Sequence, residues 1–72
     1  MPIERQPVVS SDVASIGYDE SSQTLDIEFK ATGVYRYFSV PKNVVEELMA
    51  TPSPGKFFRQ HIKGKYAWEK AQ

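Results

Sequence analysis

Residues 24–41, "TLDIEFKATGVYRYFSVP", contain two alternating runs joined by a turn signal. In the first run Leu25, Ile27 and Phe29 alternate with Asp26, Glu28 and Lys30, the period of a half-buried strand. "KATG" supplies a tight connection in which Gly33 is free to take positive φ. In the second run, 34–40, Tyr35 and Tyr37 share one face, and Val34, Arg36 and Phe38 the other. The hairpin can close in two registers. One places the tyrosines beside Leu25, Ile27 and Phe29, with Arg36 opposite Asp26 or Glu28 as a cross-strand charge pair. The other buries Arg36 without a partner, at high desolvation cost. The first is favoured, so Tyr35 and Tyr37 face the core with their hydroxyls toward a rim. The competing reading of Tyr35-Arg36-Tyr37 is a stacking platform of the kind RNA-recognition sheets use. Asp26 and Glu28 on the opposite face argue against one there.

Working outward, "VASIGYD" (13–19) alternates Ala14, Ile16 and Tyr18 with smaller residues and predicts a strand. "DESSQ" (19–23) is a turn. Residues 1–9, with Pro2 and Pro7, read as a flexible N-terminal arm. Downstream, Pro41 stops the third strand and opens a helix. There Val44, Val45, Leu48 and Met49 form one apolar stripe, while Glu46 and Glu47 point out. "ATPSP" breaks it. Ser53 as N-cap and Pro54 as first helical residue start a second helix reaching about Lys63, with Gly64 past its end. Phe58 and Ile62 form its buried side, with Phe57 and His61 beside them. Tyr66 and Trp68 fold back as a lid, and 69–72 form a tail. The predicted fold is α+β: a three-stranded antiparallel meander followed by two C-terminal helices packed on one face, a single domain over 10–68.

Length limits what the chain can spend on function. Seventy-two residues lie near the lower bound for a self-sufficient core. Conformational entropy of about 1.5 kcal/mol per residue nearly cancels apolar burial at this size. With no cysteine, neither disulfides nor thiolate metal sites assist. Most aromatic side chains are therefore expected inside. The N-terminus lacks the apolar run of a signal peptide, and there is no membrane-length apolar segment. The expectation is a cytoplasmic monomer that does not associate with membranes. Formal charge is zero, yet residues 1–55 hold four Lys/Arg against eight Asp/Glu, and residues 56–72 hold five against one. A basic end on an acidic body points to an anionic partner.

Four segments in this order, "SSDVASIGYD", "LDIEF", "GVYRYFSVP" and "SPGKFFRQHIKGKY", closely resemble the KTSC domain over residues 9–66. That family is named for its occurrence at the C-terminus of some lysyl-tRNA synthetases and also occurs as small stand-alone bacterial proteins. The resemblance brings no catalytic residue. It implies an RNA-binding role only through the synthetase context and the central Tyr35 and Tyr37. Tyr35, Tyr37, Phe58, Ile62 and Tyr66 belong to the shared motifs and are expected in the core. This chain departs from the pattern at Pro52, ahead of Ser-x-Gly, and at Arg59, where an Asn-like residue is expected.

The candidate binding residues are Lys56, Arg59, Lys63 and Lys65, a cationic strip on the helix side away from Phe58 and Ile62, with Arg36 as an extra. Such a strip can neutralise phosphates, or can simply be the solvated face of an amphipathic helix. "SPGK" (53–56) could hold an anion on free helix N–H groups, although capping is the commoner use of Ser-Pro-Gly. It lacks the pattern of a phosphate-binding loop. His61 is the only histidine. No metal site, no cofactor and no catalytic group is expected. The expected function is a non-catalytic binding module for RNA or another nucleic acid. The alternative is a module that docks an acidic protein partner through its basic helix or an open sheet edge.

Overall fold

The computed structural model of the chain describes residues 4–71. The elements are β1 (Arg5–Pro7), β2 (Val13–Asp19), β3 (Thr24–Phe29), β4 (Gly33–Tyr37), α1 (Lys42–Ala50), α2 (Pro54–His61) and β5 (Trp68–Lys70). The strands pair in chain order, each antiparallel to the next, so the fold is α+β with a five-stranded sheet. Two strands therefore extend the expected meander. Arg5–Pro7, expected in a loose arm, pairs with Ser15–Gly17 as one edge. Trp68–Lys70, expected as a lid and the start of a tail, pairs with Tyr35–Tyr37 as the other. Residues 1–3 of the expected arm and residue 72 of the expected tail lie outside the described residues.

The central hairpin closes in the favoured register: Leu25 faces Tyr37, Ile27 faces Tyr35 and Asp26 faces Arg36. Gly33, at φ 99°, makes the turn that only glycine adopts without strain. In β2 the register shifts between Val13 and Ser15, leaving Ala14 as the extra residue of a bulge. Strict alternation would send Val13 and Ile16 to opposite faces. The bulge brings both inward, and Val13 replaces Ala14 in the core.

One sheet face and the two helices enclose Val13, Ile16, Leu25, Ile27, Tyr37, Val40, Val45, Leu48, Phe58 and Ile62. In α1, Val45 and Leu48 are buried and Val44 half-buried, whereas Met49 is exposed. In α2, Phe58 is buried and Phe57 half-buried, Ile62 caps the helix from inside the core, and His61 is exposed. Gly64, at φ 78°, turns the chain beyond Ile62. Ser53 makes no side-chain cap bond. The acid near the first turn of α2 is instead Asp12: a Cβ on Gly55 would lie 2.9 Å from Asp12 Oδ2. The negative charge is favourable at that helix end, and the packing requires a residue without a side chain.

The opposite sheet face is polar and bonded to itself. Arg36 Nε and Nη2 donate to Asp26 Oδ1 and Oδ2 at 2.9 and 3.1 Å. Arg5 Nε donates to Ser15 Oγ at 3.2 Å, and Ser15 Oγ donates to Glu28 Oε1 at 2.8 Å. The Asp26 side chain is only 2% exposed and that of Arg36 34%. The carboxylate, met by a hydrogen-bonded guanidinium, holds the Arg36 pKa above its ordinary value.

Two outcomes follow for stability. Arg36→Met strands a buried carboxylate and should cost on the order of 2–4 kcal/mol in urea unfolding, the partial exposure of Arg36 favouring the low end. Burial first, then the neighbouring Tyr35, pushes the Tyr37 phenol up to about 12. The unfolded phenol titrates at about 10, so the folded state holds this proton more tightly and its stabilisation is lost as pH rises. Stability should fall by roughly 2 kcal/mol between about pH 9 and 11.5, and Tyr37→Phe should remove that share of the loss. An identical alkaline slope in the variant would contradict the burial of the phenol.

Candidate nucleic-acid interface

The helices cover the inner sheet face incompletely. At the β3–β4–β5 side, where no α1 residue reaches, a cleft of about 330 Å³ remains between the strands and the C-terminal end of α2. Phe29, Tyr35, Tyr37 and Trp68 rise from the sheet, and Phe58 closes the inner end. Their rings form one connected cluster. Phe29 meets Tyr35 at 5.7 Å and Phe58 at 4.9 Å, and Tyr37 meets Phe58 at 5.3 Å. Trp68 stands 5.4 Å from Tyr35 with the planes 50° apart, and 6.4 Å from Tyr37 at 35°. Lys63, Gly64 and Thr32 edge the opening. Trp68 is 55% exposed, so it lines a surface rather than anchoring the core.

A second groove, of about 280 Å³, continues from the first and shares Phe29, Thr32, Phe58 and Lys63 with it. Lys30 and Arg59 add two cations there. Beyond Arg59 a smaller hollow of about 190 Å³ brings in Lys56 and the "SSD" loop. Among the described residues, Lys30, Lys56 and Lys63 have no carboxylate within ion-pair distance. Lys30 Nζ donates to the Ser10 carbonyl at 2.7 Å. Arg59 Nη1 lies 3.3 Å from Asp12 Oδ2, but both side chains are more than half exposed. A pair so open contributes at most about 1 kcal/mol, so Arg59 can exchange this partner for another anion.

The candidate residues thus separate. Lys56, Arg59 and Lys63 line these three adjoining hollows, while Lys65 is exposed outside them. Arg36 points to the other sheet face, bound to Asp26. Tyr35 and Tyr37 face the helix side, yet Tyr35 is only half-buried, and both line the cleft. Phe58 and Ile62 are core, and Tyr66 is half-buried against it. His61 stacks on Phe57 at 4.6 Å and is exposed. Asp12 stands against the helix start that "SPGK" offered to a foreign anion. Sequence reasoning left Lys30 out of this surface and read Trp68 as a packing lid in preference to a surface stacker. Lys30 stood at the end of a strand whose other charged residues face outward, and Trp68 stood in a segment without alternation.

Among the described residues, no group of His, Asp and Glu is placed to hold a metal ion, and no helix is long and apolar enough to cross a membrane. Comparison with known proteins gives a consistent picture. A lysine–tRNA ligase of Nostoc punctiforme is 44% identical over 59 residues, which is 82% of this chain and 10% of that protein. One from Trichormus variabilis is 48% identical over 52 residues, 72% of this chain and 9% of that one. This chain therefore spans about a tenth of the length of those relatives. A small uncharacterized protein of Stutzerimonas stutzeri is 39% identical over 61 residues, 85% of this chain and 86% of its own length. The crystal structure of a KTSC domain protein from Yersinia pestis superposes with a TM-score of 0.95 at 41% identity, covering 99% of this chain and 100% of that one. With residues 9–66 matching the KTSC domain as a family, and a solved member of that family sharing the whole fold, the chain belongs to the KTSC domain family.

Proposed function

We propose that this chain is a non-catalytic module that binds single-stranded RNA along the groove beside α2. The observation that carries the reading is the convergence of Lys30, Lys56, Arg59 and Lys63 on three adjoining hollows in which, among the described residues, Asp12 is the one lining carboxylate and is itself about half exposed. A strip of cations along a groove suits the phosphates of a flexible strand, which can follow its curvature as a duplex cannot. The polar outer face of the sheet is a poorer candidate, because its Arg36 is already bound to Asp26 and Glu28 adds a negative charge met, among the described residues, only by a serine hydroxyl. RNA is preferred over DNA because several relatives are lysine–tRNA ligases, proteins that by name act on tRNA. The non-catalytic part of the reading draws support from His61, which stacks on Phe57 at the surface and, among the described residues, has no carboxylate within ion-pair distance to orient it.

The test is a salt-series titration of a single-stranded 12-mer RNA by fluorescence anisotropy. Four phosphate contacts should give log K falling against log salt with a slope of about −3. Changing Lys56, Arg59 and Lys63 together to Glu should preserve the melting curve and weaken binding more than about tenfold at low salt, with the slope collapsing toward zero. Equal affinity in the charge-reversed protein would contradict the proposal. So would retention of an acidic protein without any RNA affinity, which would assign the groove to protein docking.

A further inference from the structure

We propose that the aromatic cleft is a receptor for one unpaired nucleobase, stacked against Trp68 and Tyr35, with the attached phosphate at Lys63. The proposal rests on the RNA-binding reading above and adds to it a base site distinct from the phosphate strip.

Exposure is the first observation. A chain short of apolar side chains leaves its only tryptophan 55% exposed on an edge strand three residues long. Trp68 is not packed into the core. Its indole forms one wall of a wedge whose other walls are Tyr35, tilted by 50°, and Tyr37, by 35°. The rings already touch one another, so a planar group stacks on the open side of the half-exposed indole, beside the Tyr35 ring rather than between the two. Aromatic stacking of this kind accepts any base, because every base has a π face.

Size and charge then select the occupant. A volume of about 330 Å³ stands at the small end of the range for ligand sites, roughly 300–1,000 Å³, which suits one nucleotide rather than a run of stacked bases. Clusters of aromatic rings also bind alkylated ammonium groups. Here Lys63 stands at the opening, and among the described residues no carboxylate lines the cleft, so a cation is repelled and an anion-bearing planar group is favoured. Thr32 places a hydroxyl at the rim, where it can meet a base edge or a ribose hydroxyl. Lys63 also edges the adjoining groove, so a strand whose base enters the cleft has its next phosphates directed toward Lys30 and Arg59.

The experiment combines one ligand series with one residue series. Adenosine monophosphate should quench Trp68 fluorescence and shift the amides of Thr32, Tyr35, Gly64 and Trp68, whereas ribose 5-phosphate at the same concentration should not. With the 12-mer RNA, Trp68→Ala should weaken binding about 5- to 150-fold at an unchanged salt slope, because stacking is lost and no phosphate contact is. Trp68→Phe should recover most of that loss, and the melting curves should show all three proteins folded. If Trp68→Ala binds as wild type while the Lys56, Arg59 and Lys63 reversal abolishes binding, the base site is wrong and the phosphate strip stands. If ribose 5-phosphate reproduces the amide shifts, the cleft reads phosphate alone and the base site is again wrong. If wild type binds no RNA at low salt, both readings fall together.

Discussion

Pairing of β3 with β4 in one register, with Asp26 directly opposite Arg36, is the constraint from which the rest of the molecule follows. Side chains on a strand alternate faces, so this single match assigns every residue of both strands at once. Leu25, Ile27, Tyr35 and Tyr37 go to the helix side, and Asp26, Glu28, Val34 and Arg36 to the other. A slip by one residue would exchange a bidentate charge pair for a buried guanidinium among apolar neighbours. The buried carboxylate of Asp26 thus does more than stabilise. It penalises the wrong register, because only Arg36 stands where both of its oxygens are met.

The same register produces the cleft. With Tyr35 and Tyr37 on the helix side, coverage of the sheet depends on two helices of nine and eight residues. They reach Ile16, Leu25 and Ile27, and leave the strip formed by Phe29, Tyr35 and Trp68 partly open. Core and cleft are consequently continuous: Tyr37 and Phe58 belong to the buried cluster and also line the cleft. The choice between Tyr35-Arg36-Tyr37 as core and as platform resolves by residue. Tyr37 is core at 4% exposure, Tyr35 is its half-open continuation, and Arg36 belongs to the other face.

How far the sequence could be read depended on whether an element carries its own pattern. The central hairpin was legible in its alternation and its charges, and the helices in Pro54, Gly64 and the spacing of Val45, Leu48, Phe58 and Ile62. "RQP" and "WEK" are strands three residues long with no pattern of their own, formed by backbone pairing to a sheet already in place. The bulge at Ala14 was hidden because Ala14, Ile16 and Tyr18 offer a plausible alternation, and only the competition between Val13 and Ala14 for the core shows which face wins. The cationic strip was readable in part, since Lys56, Arg59 and Lys63 share one helix face. Lys30 joins them through tertiary packing, and the cleft is a gap between elements, which no local pattern encodes.

The family relationship gives the fold and not the ligand, and the proposed site lies on the inner face between β5 and α2. Intermolecular NOE measurement on the complex with a short single-stranded RNA tests it most directly. The account predicts contacts from base protons to the ring protons of Trp68 and Tyr35, with the neighbouring ribose close to Lys63. Base contacts to Val34 and Arg36 on the opposite sheet face, with the Trp68 ring silent, would contradict it.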